Sequence, residues 1–481
     1  VGHLWELQKE LKPVSRSFHV LAAAVLVLLL CPAIANAAAI LPAECPVQDF
    51  PFGVQWPWER TDSIAKNAGT DKWAFTRRTC KLLKDKGVDS IWLVNIDVGD
   101  LKPLLKITRP LGLKLIPCLG EIEPKNCRGT MGVDLAATDF KAKALAYYAR
   151  KIPQIVQDIG EDRAGVLAWA LCDEPTGVCF DLMDPTREIF AKADPDRPAL
   201  AVSTWPQTPD LIAKTRLTTF CIDLYPFCGP NDPNGPQPPT ASGSRDFYSK
   251  NIQRMVKDAG KDGRVGWVFA MCFAEIWGPK EMKPDGFVSA LPGAYVHWRT
   301  PTLAEMRWQI WEGLRLGVKG LLFYVLLGEA EGDPNAKLPD DPSLRSVLAK
   351  TIAPVGYSGL LDRKGDPTPQ CNEMSMLFRK LAPHKALLRK LTPNSTQWLA
   401  AEGGTQIGSF VDSVTGERYA VAVNPDFSTT QTVTLTVAAD THDLVDMFTG
   451  KSLKLQRLTG AGGGFRTKIS LKAGDGVLLK R

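Results

Sequence analysis

Histidine is scarce in this 481-residue sequence, with five copies at His3, His19, His297, His384 and His442. None lies near a cysteine or a second histidine at metal-ligand spacing. There is also no Cys-x2-Cys, so the sequence carries no zinc signature. No G-x-G-x-x-G follows the first apolar run, which disfavours a dinucleotide-binding fold. The one glycine-rich run, Gly460–Gly464, lies far downstream and reads as a loop. Blocks of Lys and Arg are missing, and the net charge of +6 is mild, so nucleic acid is not an expected partner. The strictly apolar stretches are shorter than the ~20 residues of a membrane-spanning helix. With 44% hydrophobic and 23% charged residues, the composition is that of a soluble globular chain without extensive disorder.

The N-terminus has a recognisable layout. Lys9, Lys12 and Arg16 precede the apolar run Val20–Leu30, and Pro32 is followed by the small-residue site Ala35-Asn36-Ala37. A positive region, an apolar core and a small-residue cleavage site make a signal peptide. Residues 1–37 are therefore expected to be removed, with those before Arg16 set aside as an over-extended N-terminus. A secreted, periplasmic or cell-surface location follows, without stable membrane insertion after cleavage. Export also bears on the eleven cysteines. Cys31 leaves with the signal. Among the rest, Cys118/Cys127, Cys172/Cys179 and Cys221/Cys228 each close a short loop, and an oxidising compartment would allow disulfides there.

The length suits a barrel plus a smaller module. From Pro51 to Tyr324 short apolar runs alternate with amphipathic segments. Strands are expected at 52–56, 90–94, 113–119, 166–172, 199–203, 219–224, 265–273 and 320–325. Helices are expected at 72–86, 100–109, 140–159, 185–193, 208–214, 246–259 and 303–316, with 341–353 as part of an eighth. The fourth, sixth, seventh and eighth strands are almost wholly apolar, as in a parallel sheet covered on both faces. Eight β/α units in about 280 residues fit a closed barrel better than an open doubly wound sheet. After residue 392 the runs become short and β-branched. Turn signals such as Gly403-Gly404, Thr415-Gly416 and Asn424-Pro425-Asp426 separate them. The expected fold class is α/β: a (β/α)8 TIM barrel over 45–392, followed by a small C-terminal antiparallel β-sandwich over 393–481.

A barrel of this kind works at the C-terminal ends of its strands. Those ends supply Asn95 and Asp97, Glu121 and Glu123, Asp173 and Glu174, Thr204 and Trp205, Asp223 and Tyr225, Glu275 and Trp277, and Tyr324 and Glu329. Trp56 ends the first strand. The rim is rich in carboxylates and aromatics and poor in Lys, Arg and His. Phosphate needs cationic or glycine-rich cradles, and these are missing. Sugars are held by aromatic faces and by carboxylate and amide hydrogen bonds. Glycoside hydrolysis needs two carboxyl groups flanking the scissile bond: one protonates the leaving oxygen, the other attacks the anomeric carbon or activates water. The segments Trp169–Pro175 and Phe269–Gly278 both end an apolar strand with a glutamate, at Glu174 and Glu275. Asp173, Tyr225, Trp205, Trp277, Tyr324, Trp56 and Asn95 are the candidate substrate-binding residues. No cofactor and no metal is assigned.

These two segments resemble the superfamily of retaining (β/α)8 glycoside hydrolases with catalytic glutamates on strands four and seven. The resemblance implies Glu174 as acid/base and Glu275 as nucleophile. By the same resemblance Tyr225, in Asp223-Leu-Tyr-Pro226, matches a tyrosine that often hydrogen-bonds the nucleophile. Three departures stand out. Asp173 sits where that superfamily usually has Asn, strand two offers no Arg, and Tyr324 ends strand eight where Trp is common. An exported retaining glycosidase acting on an oligo- or polysaccharide is thus the leading expectation. A non-catalytic cell-surface glycan-binding barrel is the alternative, and a carboxylate-ligated metallohydrolase a weaker third. The sequence leaves the sugar, exo or endo action and the oligomeric state open.

Overall fold

The chain divides into two units, Val1–Glu44 and Cys45–Arg481. The computed structural model describes residues 47–123, 138–230, 232–282, 288–328, 359–362, 364–459 and 463–481, all in the second unit. The signal-peptide segment, Cys127, Glu329 and the helix expected at 341–353 lie outside the described residues.

Eight parallel strands close into a barrel: β1 (Phe52–Pro57), β2 (Ser90–Ile96), β3 (Lys114–Leu119), β4 (Trp169–Asp173), β5 (Ala199–Thr204), β6 (Thr219–Asp223), β7 (Val265–Met271) and β8 (Leu321–Tyr324). Closure comes from pairing of β8 with β1, Phe52 opposite Leu321 and Val54 opposite Phe323. The outer helices are α1 (Lys72–Asp85), α2 (Val98–Thr108), α3 (Phe140–Ile159), α4 (Val178–Ala193), α5 (Thr208–Lys214), α6 (Ala241–Gly260), α7 (Leu303–Leu316) and α8 (Pro369–Leu381). Period-2 alternation sorts each strand's side chains into two layers. Trp92, Ile116, Ala170, Leu200, Cys221, Trp267, Phe269 and Leu322 fill the barrel interior, where Trp92 meets Phe269 edge-on at 5.4 Å. Their neighbours, such as Val54, Leu93, Leu171 and Phe323, face the helices.

After α8 the chain forms two antiparallel sheets. One holds β9 (Leu391–Pro393), β11 (Gln406–Asp412), β12 (Arg418–Val423), β18 (Gly476–Lys480), β14 (Val445–Asp446) and β15 (Lys451–Ser452), in that order. The other runs β10 (Leu399–Ala401), β13 (Gln431–Val437), β17 (Phe465–Leu471) and β16 (Gln456–Arg457). Ala420, Ala422 and Leu479 meet Val433, Leu435 and Leu471 between the sheets. Tyr419, Val421, Val423 and Leu478 point the other way and join the barrel's core. The turn at Gly474, φ +67°, carries the chain from β17 in one sheet to β18 in the other.

Helix α7 lies between barrel and sandwich. Ten of its fourteen residues, including Glu305, Gln309 and Glu312, are buried. A capping box of Thr302 and Glu305 starts it, and Gly317 at φ +96° ends it. Gly476 of β18 lies directly on the Trp311 indole, and any Cβ there would come within 2.6 Å of the ring. Packing of this tightness ties the sandwich to the barrel wall. On its other side, Gln309 accepts the Met271 N–H at 2.8 Å and donates to the Met271 carbonyl at 3.1 Å. The end of β7 is thereby gripped just before the chain leads on to Glu275.

The anticipated disulfides do not form at Cys172/Cys179 or Cys221/Cys228, all four of which are buried thiols. Cys172 and Cys179 sit side by side between β4 and α4. Cys221 points into the barrel interior, whereas Cys228 packs against Gly235 in the following loop.

Candidate active site

A cavity of about 660 Å³ opens at the C-terminal mouth of the barrel, within the size range of small-molecule sites. Four carboxylates line it: Asp173, Glu174, Asp223 and Glu275. Gln55, Thr204, Asn234 and His297 add neutral polar groups, and Trp205, Tyr225, Phe247, Trp277, Trp298 and Tyr324 supply aromatic walls. No Lys or Arg is among the described residues that line it.

Strand β4 delivers two of the acids. Pairing with β5 slips between Ala170 and Asp173, so Asp173 and Glu174 both reach the mouth although they are adjacent. Glu174 adopts φ +50°, a left-handed conformation that is costly for a residue with a Cβ. Its N–H is tied to the Val202 carbonyl at 3.0 Å. Buried Glu123, just past the turn that follows β3, accepts the Asp173 N–H at 3.0 Å.

Strand β6 places Asp223 and Tyr225. Burial first, then the charge of Glu174, pushes the Asp223 carboxyl well above the usual carboxylate range. Glu174 lies close enough to Asp223 to add to this upward shift. The Tyr225 hydroxyl sits beside Asp223. Burial raises its pKa, and the Asp223 charge adds to this. Around it, Tyr225 packs on Phe273 at 4.9 Å and on Tyr324 at 5.3 Å. Tyr324 itself feels the charges of Arg60, Glu275, Asp223 and Asp173. Burial keeps its hydroxyl protonated well above the ordinary tyrosine range.

Glu275 does not sit on β7 proper. It begins a short hairpin in which Glu275–Trp277 pairs antiparallel with Tyr295–Trp298, Trp298 lying opposite Glu275 and Val296 opposite Ile276. The hairpin was not anticipated. It contributes His297 and Trp298 to the cavity, two residues absent from the sequence-based set.

The structure brings Glu174, Glu275, Asp173, Tyr225, Trp205, Trp277 and Tyr324 together around one space. It does not bring Trp56 or Asn95 there. Gln55 faces the cavity, so alternation along β1 turns Trp56 to the opposite side. Trp56 is 0% exposed and donates to Thr61 Oγ1 at 2.9 Å, leaving no face for a substrate. Asn95 lies at a bulge between β2 and β3, with φ +55°, and its backbone packs beneath Gly120. Among the described residues no group of three or more His, Cys, Asp or Glu is arranged to hold a metal ion. No helix among them is long and apolar enough to cross a membrane.

No family model matches the chain, and no curated protein does. Solved structures similar to it include a GH2 β-galacturonidase from Eisenbergiella tayi, at 13% identity and TM-score 0.42, covering 69% of this chain and 51% of that one. A family 5 mannosidase from Rhizomucor miehei has 12% identity and TM-score 0.41, covering 71% of this chain and 95% of that one. An α-amylase from Geobacillus thermoleovorans has 12% identity and TM-score 0.48, covering 91% and 99%. The chain spans about half the length of the first of these. The activity in each name is that protein's own.

Chemically, the site offers paired carboxyls across a cavity, a buried Asp223 carboxyl whose pKa is raised, and exposed indoles at Trp205 and Trp277, each 40% exposed. Proton transfer, attack on an electrophilic carbon and stacking on an apolar ring face are all available.

Proposed function

We propose that the protein is a retaining glycoside hydrolase acting on uncharged sugars. The observation that carries this reading is the cavity itself, where Glu174 and Glu275 share one space with two exposed indoles and with no Lys or Arg among the described lining residues. In this scheme Glu174 protonates the glycosidic oxygen as the bond to the anomeric carbon breaks. Glu275 forms a covalent bond to that carbon. Water then attacks the glycosyl-enzyme, Glu174 takes its proton, and Glu275 leaves. Asp223 stands beside Glu174 at the mouth. A carboxylate-rich wall with no Lys or Arg among its described residues repels uronates and sulfated glycans, which is why the substrate is read as uncharged.

The test is hydrolysis of soluble mannan, xylan, β-glucan, galactan and polygalacturonate, together with 4-nitrophenyl α- and β-glycosides. Turnover of a neutral member, abolished in both Glu174→Gln and Glu275→Gln and proceeding with retained anomeric configuration, is the expected result. A 2-deoxy-2-fluoro glycoside should label Glu275. Full activity in either variant removes that residue from the chemistry. Glycan retention without any hydrolysis would instead support the non-catalytic barrel, for which the departures at Asp173 and on strand two are the motivating features.

We also propose export, supported by the charged, apolar and small-residue order of residues 1–37. Mature protein beginning at Ala38 outside the cytoplasm is the expected mass-spectrometric result, and an intact intracellular N-terminus would refute it.

A further inference from the structure

We propose that Asp232 and His297 form a positioning pair that holds the Trp277 indole as a sugar-stacking platform beside Glu275. As a statement about sugar binding this rests on the glycosidase reading; as a statement about Trp277 it does not.

The argument starts from an irregularity in the hairpin. Val296 pairs with Ile276 and Trp298 with Glu275, so His297 is an extra residue in its strand, a β-bulge. In a regular strand, consecutive side chains face opposite ways. Here His297 and Trp298 both line the cavity, which the bulge makes possible. The His297 ring lies on the Trp277 indole, centroids 3.6 Å apart and planes 22° apart. Trp298 closes on its other flank at 4.2 Å and 59°. His297 is 3% exposed, while Trp277 is 40% exposed. One face of the indole is thus backed and the ring still opens to the cavity.

The imidazole is itself held. Its Nδ1 lies 2.7 Å from Asp232 Oδ2, and the Asp232 side chain is fully buried. Asp232 Oδ1 accepts the Asn234 N–H at 2.8 Å, and Asn234 Nδ2 donates to the Tyr295 hydroxyl at 2.6 Å. The His297 carbonyl accepts the Gly229 N–H at 2.9 Å. The loop after β6 is therefore fastened to the hairpin through the bulge residue. A surface tryptophan on a short hairpin would otherwise sample several rotamers. Stacking on a ring that Asp232 has fixed removes that freedom before substrate arrives. Burial also disfavours the charged imidazole, against the pull of Asp232. A neutral ring behind Trp277 leaves the indole electron-rich, as contact with sugar C–H groups requires.

Three variants test this: His297→Ala, His297→Phe and Trp277→Phe. The intrinsic fluorescence lost in Trp277→Phe isolates the Trp277 emission. In His297→Ala that component should show faster depolarisation and stronger acrylamide quenching, and His297→Phe, which keeps a flat ring, should restore both. With the best substrate of the glycan panel, His297→Ala should raise KM roughly five- to tenfold with kcat within about twofold, the mark of lost ground-state and transition-state binding alike. His297→Phe should recover most of the KM. Unchanged Trp277 emission in a folded His297→Ala protein overturns the positioning role. Equal KM defects in the Ala and Phe variants overturn the stacking role, because the imidazole nitrogens would then be what matters. If the wild type hydrolyses nothing, the glycosidase reading fails while the fluorescence result still decides the role of His297.

Discussion

The Glu123 carboxylate, 2% exposed, accepts the backbone N–H of Asp173 at 3.0 Å. A side chain just past the turn that follows β3 thus fixes the last peptide of β4, one residue before Glu174. Glu123→Ala leaves that N–H without its acceptor in a buried setting, a loss of about 1–3 kcal/mol. Urea denaturation should show it, together with a fall in kcat from the misplaced Glu174. Glu123→Gln retains an acceptor and should recover most of the stability. Equal stabilities for Glu123→Ala and the wild type would mean that the Asp173 N–H finds another partner.

Glu174 sits at φ +50° with Pro175 behind it. Left-handed backbone is costly for a residue with a Cβ, and a following proline narrows its choices further. Such strain gathers where function requires it. Glu174→Gly should therefore stabilise the fold by about 1 kcal/mol, seen as a higher Tm, while abolishing hydrolysis. Glu174→Ala removes the carboxylate but keeps the Cβ, and should gain less. A glycine variant less stable than the alanine one would contradict the strain argument.

Much of the barrel was readable because its strands are apolar on both faces, as in Val265–Met271 and Leu321–Tyr324. The strand-end residues followed from counting those strands. What was lost depends on register and on long-range pairing. Gln55 and Trp56 are adjacent, and only closure of the barrel decides which of them faces the cavity. The hairpin carrying Glu275 consists of strands three and four residues long, too short for alternation to stand out. His297 meets Asp232 across 65 positions of sequence, a contact that local patterning does not encode. The alternation in Tyr295-Val-His-Trp298 after Gly293 was the one available signal for a strand there.

Asp223 gives a pH prediction with a definite sign. Its carboxyl is raised in the folded state by burial and by Glu174. Above the unfolded value of 3.8, the folded protein therefore binds more protons at this site than the unfolded chain. Stability from this group is present at low pH and is lost as pH rises through and above that value. Asp223→Asn removes the titration. The stability of the wild type minus that of Asp223→Asn should fall between pH 4 and pH 7 in urea melts. Parallel curves over that range would mean that Asp223 titrates normally.

Lys319 supplies the opposite case at the far end of the barrel. Its Nζ donates to the Leu388 carbonyl at 3.0 Å and to that of Leu391, where the chain passes from barrel to sandwich. Carbonyls at the end of a helix favour a cation, yet burial dominates, and with the Arg389 charge it pushes Lys319 from 10.5 down to about 7. Between those two values the unfolded chain holds a proton that the folded protein does not. Stability must then rise with pH across that window and lose this contribution as pH falls toward 7. Lys319→Met removes the titration together with the two hydrogen bonds, so its absolute stability is not the readout. The readout is the difference between wild type and Lys319→Met, measured by urea denaturation at pH 7 and pH 9.5. The wild type should gain on the variant at the higher pH. A constant difference would show that Lys319 remains protonated in the folded protein, with the two carbonyls outweighing its burial.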